Sequence, residues 1–185
     1  LSVYQRAADG TLQLLETQTV SGLTGIATLH VSTDGGTLYL IGADGIALFN
    51  AADMQQLGTF GADIGLVSDV VAQGDKVYVT ADSKLLVFTR SDASLTLEQT
   101  LEDAGDSGMQ LDGANAISLS PDGRTLYVAT SGGNTLVSVF SIATDGSLSF
   151  RQAVAGTDVS EFGHYASALD LSADGKTLYV IDNNA

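Results

Sequence analysis

The sequence contains no cysteine, no tryptophan and a single proline among its 185 residues. The lack of cysteine excludes disulfide bonds and thiolate metal sites. No apolar run approaches the roughly 20 residues that a membrane-spanning helix needs, so we expect no membrane insertion. No apolar stripe with the spacing i, i+3, i+4 persists along the chain, so no segment is predicted to be helical.

Basic residues are also scarce: seven Lys and Arg stand against 22 Asp and Glu, for a net charge of -15. Nucleic acids and anionic membranes bind proteins through clustered Lys and Arg, so we expect neither as a partner. The acidic excess favours solubility in a salty medium, which predicts an extracellular or cell-surface location. A start at Leu1 rather than Met indicates a processed chain or a piece of a larger one.

What the sequence does contain is one unit repeated four times. The copies are ATLHVSTDGGTLYLIG (27–42), SDVVAQGDKVYVTA (68–81), NAISLSPDGRTLYVAT (115–130) and SALDLSADGKTLYVID (167–182). Apolar residues alternate with period two on both sides of a Gly and Asp turn, which is typical of β-strands joined by a tight hairpin. We name the two strands of this hairpin A and B.

A second hairpin, with strands C and D, follows each of the first three copies. Residues 1–18, LSVYQRAADGTLQLLETQ, have the same form as VSVFSIATDGSLSFRQAV in the third unit. The chain therefore reads CD, ABCD, ABCD, ABCD, AB, which is four equivalents of a four-stranded antiparallel unit. Half-units stand at 1–20 and 166–183, and complete units are predicted at 22–60, 64–103 and 114–155.

Four-stranded antiparallel units repeated in this way predict an all-β fold, a β-propeller with four blade equivalents. A shared blade formed from the two termini would close the ring and cover its exposed strand edges. Three closures remain open: a single four-bladed ring, two chains that form eight blades, or a section of a larger ring. In each case Leu38, Val77, Leu126 and Leu178 should be buried. Two further rows should pack between blades: Leu29, Val70, Ile117 and Leu169, and Val31, Ala72, Leu119 and Leu171.

The copies ISLSPDGRTLYVATSGGNTLVSVFSI and LDLSADGKTLYVIDNNA resemble blades of the seven-bladed lactonase-like propellers. That superfamily includes the 6-phosphogluconolactonase type and the YVTN surface-layer propellers. The resemblance extends over the whole chain, most clearly at 115–155 and 166–182. It implies a propeller fold, whereas its implication for activity is weaker, because one fold hosts many functions.

Two connections between blades are longer than the others, 102–115 and 156–167, and both are predicted on the face that also carries the B–C turns. Long loops on one face of a rigid scaffold tend to carry function. The predicted ligand-binding residues are therefore Asp106, Asp112, Asp158, Glu161, His164 and Tyr165. Because hard cations bind carboxylate oxygens, weak calcium binding is expected there, and no other cofactor is expected.

His164 is the one candidate catalytic residue, since the resembled family often has a histidine shortly before an inner strand. Such a histidine could activate a water molecule for lactone hydrolysis. His30 lies in the middle of a predicted strand and is expected to pack between blades. No Gly-x-Ser-x-Gly motif and no phosphate-binding glycine loop ahead of a helix is present.

The acidic character of the two long connections decides the predicted function. The seven basic residues lie in strands and turns, whereas a lactonase acting on phosphorylated sugar acids would place positive charge beside its substrate. The main prediction is therefore a non-enzymatic binding or scaffold module without appreciable lactonase turnover. It would bind an unidentified protein or carbohydrate partner, as a homodimer or as part of a larger chain. The alternative is a lactonase-like hydrolase in which His164 activates water.

Overall fold

The structure, a computed structural model, describes residues 1–61, 63–103, 108–132, 135–155 and 166–182. Every regular element in these ranges is a β-strand, as the period-two alternation predicts. No helix in the described ranges is long and apolar enough to cross a membrane. The strands are β1 (Ser2–Arg6), β2 (Leu12–Thr17), β3 (Thr28–Val31), β4 (Thr37–Gly42), β5 (Gly45–Asn50), β6 (Gln56–Phe60), β7 (Val67–Gln73), β8 (Lys76–Ala81), β9 (Lys84–Ser91), β10 (Ser94–Glu102), β11 (Ala116–Leu119), β12 (Thr125–Ala129), β13 (Thr135–Ile142), β14 (Leu148–Ala155), β15 (Ala166–Leu171) and β16 (Leu178–Asp182).

These strands form three complete blades and two half-blades. Blade I (β3–β6), blade II (β7–β10) and blade III (β11–β14) are antiparallel four-stranded sheets in which neighbouring strands follow one another in the chain. The N-terminal hairpin (β1–β2) and the C-terminal hairpin (β15–β16) are separate two-stranded sheets. The all-β fold and the predicted order CD, ABCD, ABCD, ABCD, AB are confirmed.

The two terminal hairpins do not form a shared blade within this chain. Among the described residues, β16 pairs only with β15, and β1 pairs only with β2. The N-terminal hairpin packs on blade I, where Leu1 and Val3 contact the apolar cluster around Phe49. The C-terminal hairpin packs on blade III instead, through β15 against β11 and β12. A single four-bladed ring is therefore contradicted, whereas a section of a larger ring agrees with this arrangement.

The A–B turns show why Ser and Asp recur ahead of each Gly. In blade III the Ser120 hydroxyl donates to Asp122 Oδ1 at 2.6 Å and accepts the Thr125 amide at 2.9 Å, while Gly123 N donates to Ser120 O at 2.8 Å. Gly123 has a φ of +65°, a conformation that glycine adopts without the steric cost of a side chain. Ser32 with Asp34, and Ser172 with Asp174, repeat the hydroxyl-to-carboxylate bond at 2.6 and 2.7 Å.

The core consists of apolar clusters between successive blades. Tyr39 of blade I packs with Val70 and Val77 of blade II, and Tyr78 of blade II packs with Leu126 of blade III. Each blade is consequently apolar on both faces, unlike a sheet with one face in water. The predicted burial of Leu38, Val77 and Leu126 is confirmed.

Apolar side chains are less buried at both ends of the row of blades than in its interior. Leu178, the fourth residue of the predicted buried row, is only half-buried. Of the two rows predicted to pack between blades, Val70, Ala72 and Ile117 are buried there, but the prediction is wrong for Leu29 and Val31, which are exposed. Their side of blade I faces the N-terminal hairpin, which supplies only the outer strands C and D of a blade. No inner strands therefore cover these two side chains in the described part of the chain.

Candidate functional site

The strand order sorts the connections onto two faces of the row of blades. The B–C turns, such as 43–44 and 82–83, and the D–A connections lie on one face, which we call the loop-rich face. The A–B turns and the C–D turns lie on the opposite face. Strand A is the innermost strand of a propeller blade, and it begins at the loop-rich face. The loops of this face therefore surround one opening of the central channel around which the blades are arranged.

Only one of the six predicted ligand-binding residues, Asp112, lies in the described part of the chain. Asp106, Asp158, Glu161, His164 and Tyr165 fall outside the described residues, so their positions stay predictions. Asp112 does lie on the loop-rich face, where its side chain is exposed.

Asp112 joins three connections of blades II and III. Its Oδ1 accepts a hydrogen bond from the Ser83 hydroxyl at 3.2 Å, and its carbonyl oxygen accepts from Ser131 N at 3.2 Å and Gly132 N at 2.9 Å. The Ser83 hydroxyl also accepts from Gly113 N at 3.1 Å. These bonds fix the connection around 112 against the B–C turns of two blades and give the face a defined shape.

An acidic cavity of about 360 Å³ opens beside Asp112. The one cation in the lining of this cavity, Lys84, is paired with a carboxylate, since its Nζ lies 3.0 Å from Glu102 Oε1. Asp103 accepts the Leu111 amide at 2.5 Å, which ties the end of β10 to the connection that follows. The lining residues are Asp82, Ser83, Lys84, Glu102, Asp103, Gln110 and Asp112. Four carboxylates against one ammonium group make the cavity negatively charged.

Two further aspartates on this face have a structural role. Asp44, in the B–C turn of blade I, accepts both the Thr24 amide at 2.8 Å and the Thr24 hydroxyl at 2.9 Å. Asp82, in the equivalent turn of blade II, accepts the Leu66 amide at 3.1 Å. Each carboxylate therefore holds the D–A connection that leads into its own blade. The hydrogen bonds from Thr24 lower the pKa of Asp44, so this carboxylate stays ionised.

The inner strands contribute two polar residues that the sequence did not single out. Asp69, near the start of β7, accepts Ile117 N at 3.0 Å and Val70 N at 2.9 Å, and burial raises its pKa. Asn115, just before β11, donates from Nδ2 to Ala166 O at 2.6 Å. Asn115 Oδ1 is buried and has no hydrogen-bond partner within the described residues. Both residues could have been recognised in the sequence as polar positions within, or directly before, an otherwise apolar inner strand.

His30 lies away from this face, between blades I and II. Its ring lies 6.5 Å from that of Tyr39 on the neighbouring strand, and burial lowers the pKa of its imidazole. These contacts agree with the predicted packing role. Within the described ranges, no three His, Asp or Glu side chains converge to hold a metal ion, so calcium binding would need residues of the two long connections.

The opposite face carries a larger cavity, about 550 Å³, between blades II and III. Lys76 and Arg124 line it together with Asp75 and Asp145, so its formal charges balance. Tyr78 closes its floor by donating a hydrogen bond to Gly146 O at 3.1 Å. Burial, reinforced by the two carboxylates, raises the pKa of the Tyr78 hydroxyl to about 12. This tyrosine therefore acts as a donor that joins two blades.

Comparison with known proteins assigns the chain to a family. The family model described as lactonase, 7-bladed beta-propeller, matches residues 70–185, which is more than half of the chain. A comparison with curated proteins gave no match.

Several solved structures share the fold at low sequence identity. The periplasmic gluconolactonase of Pseudomonas aeruginosa matches with a TM-score of 0.72 and 20% identity, over 99% of this chain and 56% of its own. A Bacteroides uniformis protein assigned as a 6-phosphogluconolactonase matches with a TM-score of 0.68 and 20% identity, over 99% and 63%. The Cps50 (Swd1) β-propeller domain of Myceliophteria thermophila matches with a TM-score of 0.63 and 13% identity, over 84% and 49%. The chain thus spans about half to two thirds of their lengths.

These findings correct the predicted function. A non-enzymatic binding module was the main prediction, but the matching family model is that of lactonases. Among the structural relatives, one is named a gluconolactonase and another a 6-phosphogluconolactonase. The prediction failed because it took the acidic loops as evidence against every lactone, although they argue only against negatively charged ones. The alternative, a lactonase-like hydrolase, is the better supported. The chain belongs to the lactonase family of seven-bladed β-propellers.

Proposed function

We propose that this chain acts as a lactonase, or as part of one, and hydrolyses the internal ester of a sugar-acid lactone. Water adds to the carbonyl carbon, the ring carbon–oxygen bond breaks, and a hydroxy acid leaves. The observation that carries this proposal is the family match over residues 70–185.

The loop-rich face is the proposed place of the reaction. Propellers tend to bind ligands where loops of several blades meet, and here Asp112 and Ser83 join connections of blades II and III. His164 belongs to the connection that leads into β15, and we assign it the role of the base that accepts a proton from the attacking water.

The charge of this face favours an uncharged lactone over a phosphorylated one. The 360 Å³ cavity contains four carboxylates, and its single cation, Lys84, is already paired with Glu102. A phosphate group in this cavity would be repelled by the four carboxylates. No unpaired guanidinium or ammonium group in the lining of the cavity could bind it. The carboxylate of the product would be repelled by the same field, which favours its release. Gluconolactone without a phosphate is therefore the proposed type of substrate.

Location and calcium binding are proposed on narrower grounds. A site outside the cytoplasm, in a periplasm or beyond the cell, is supported by the likeness to a periplasmic gluconolactonase. Weak calcium binding at Asp106, Asp158 and Glu161 stays a prediction. Thermal unfolding with and without millimolar calcium would test it, since a bound ion raises the unfolding temperature.

The role of His164 can be tested with the other histidine as a matched control. His164→Ala and His30→Ala are compared with the wild type for hydrolysis of glucono-δ-lactone and of its 6-phospho derivative, after circular dichroism has confirmed that both variants are folded. We expect His164→Ala to lose 10²-fold or more in kcat with the neutral lactone, the usual contribution of a general base. His30→Ala should keep its kcat, and the phosphorylated lactone should react more slowly in every case. Equal rates for wild type and His164→Ala would remove His164 from the reaction.

A further inference from the structure

Asn115 has a fixed position at the start of blade III, on the loop-rich face. It directly precedes β11, and its backbone amide donates to Ala129 O of β12 at 3.1 Å. Its side chain is half-buried. The place of this side chain is therefore set by the β11–β12 hairpin, which is part of a four-stranded sheet.

The Asn115 side chain reaches the next inner strand, β15. Its Nδ2 donates to Ala166 O at 2.6 Å, although 51 positions separate the two residues in the chain. A carbonyl oxygen only accepts hydrogen bonds, so it orients the amide group of Asn115 with the nitrogen towards Ala166. The Ala166 amide donates to Thr130 O, also in blade III, at 3.2 Å. Both backbone groups of the fully buried Ala166 are therefore bonded to blade III.

The preceding junction contains a link of the same kind. Asp69, near the start of β7, accepts the amide of Ile117 in β11 at 3.0 Å. In both junctions a polar side chain at the beginning of one inner strand bonds to the backbone of the next inner strand. Because the inner strands surround the central channel, these bonds determine how the strands are spaced where they meet the loop-rich face.

We propose that Asn115 is a positioning residue for lactone hydrolysis, because it holds the start of β15 and thereby the end of the connection 156–167. This inference rests on the proposed function, in which His164 of that connection is the base. Only Tyr165 separates His164 from Ala166 in the chain. A fixed Ala166 therefore limits how far this end of the connection can shift relative to blade III. A general base must lie within hydrogen-bonding reach of the proton that it accepts, and a displacement of about 1 Å can lower a rate about 10²-fold.

The matched control for Asn115→Ala is Gln99→Ala. Gln99 also joins two blades through its side-chain amide, since it donates to Leu148 O at 3.0 Å and accepts from Leu148 N at 2.8 Å. It belongs to the outer strand β10, and Leu148 directly follows the C–D turn of blade III on the opposite face. Both substitutions remove an amide link between blades, but only the Asn115 link lies on the face of the proposed reaction.

Both variants are compared with the wild type for hydrolysis of glucono-δ-lactone, with the rate in buffer subtracted, after circular dichroism has confirmed that they are folded. We expect both to unfold at a lower urea concentration than the wild type, because each loses a link between blades. Only Asn115→Ala should lose about tenfold or more in kcat, with KM changed by less than about twofold, since Asn115 positions the base without contacting the lactone. An equal kcat for Asn115→Ala and Gln99→Ala would overturn the inference.

A second variant isolates the hydrogen bond from the size of the side chain, and it replaces Asn115→Ala where that variant does not fold. Asn115→Asp keeps the shape of the side chain, but only its protonated carboxyl group can donate to Ala166 O. Burial favours the protonated form, so kcat of Asn115→Asp relative to the wild type should rise as the pH falls from about 8 to about 5. A ratio that does not change with pH would contradict the role of Asn115 alone. Absence of turnover in the wild type would overturn the proposed function and this inference with it.

Discussion

The Asp69 carboxylate of blade II accepts a hydrogen bond from the Ile117 backbone amide of blade III, with Oδ2 and N 3.0 Å apart. Its other oxygen accepts the amide of Val70, on its own strand, at 2.9 Å. One aspartate thus joins the inner strands of two blades close to the loop-rich face. Burial raises the pKa of Asp69, because the surrounding apolar groups disfavour the charged carboxylate.

Removing this carboxylate should loosen the junction between blades II and III. Asp69→Ala leaves two backbone amides without their acceptor, and we expect a loss of about 1–3 kcal/mol in the free energy of unfolding. Asp170→Ala is the control, because Asp170 is exposed and, within the described part of the chain, accepts a hydrogen bond only from the neighbouring Leu171 amide, at 2.8 Å. Urea unfolding of both variants measures the difference. Equal effects of the two substitutions would show that the bond between the blades contributes nothing specific.

The turn aspartates should make the fold sensitive to acid. Hydrogen bonds from a serine hydroxyl and from backbone amides lower the pKa of Asp34, Asp122 and Asp174. A carboxyl whose pKa is lower in the folded chain stabilises it above the unfolded pKa, close to 3.9, and this contribution disappears as the pH falls through the folded value. Asp122→Asn should therefore reduce the dependence of the free energy of unfolding on pH below about 4. Unfolding curves between pH 2.5 and 6 would show an unchanged slope if these bonds have no effect.

The apolar clusters between blades should carry most of the stability. Leu126 is fully buried between blades II and III, and Leu126→Ala is expected to cost about 2–5 kcal/mol through lost contacts and the cavity left behind. Leu97→Ala, at an exposed position of β10, should cost less than about half a kcal/mol. Chemical denaturation of the two variants gives the comparison. A small cost at Leu126 would contradict the assigned packing between the blades.

The strands and turns could be predicted from the sequence because they depend on neighbouring residues. Period-two alternation sets the strand faces, and Ser120, Asp122 and Gly123 form a turn with bonds inside one hairpin. The exposure of Leu29 could not be predicted in this way, because it depends on whether strands remote in sequence cover blade I. Asp69 was missed for the same reason, since its partner Ile117 lies 48 residues away.

The functional prediction failed because charge alone does not determine reactivity. The carboxylates around Asp112 make the cavity beside it negative, which disfavours anionic ligands but does not argue against uncharged ones. A catalytic site at the central opening of a propeller consists of a few side chains from several blades. Four imperfect copies of a hairpin in the sequence do not show which of these side chains lie close together. The family is shown by the match of its model to residues 70–185, which include two of the complete blades and the C-terminal hairpin.

The rate at which glucono-δ-lactone opens in the presence of the purified chain tests the proposed activity most directly. This lactone also opens without an enzyme, so proton release is followed with a pH indicator in matched buffer with and without protein. The proposal predicts an added rate that is proportional to protein concentration, saturates with lactone and exceeds the added rate for the 6-phospho derivative. A rate equal to that of buffer at every protein concentration would contradict it.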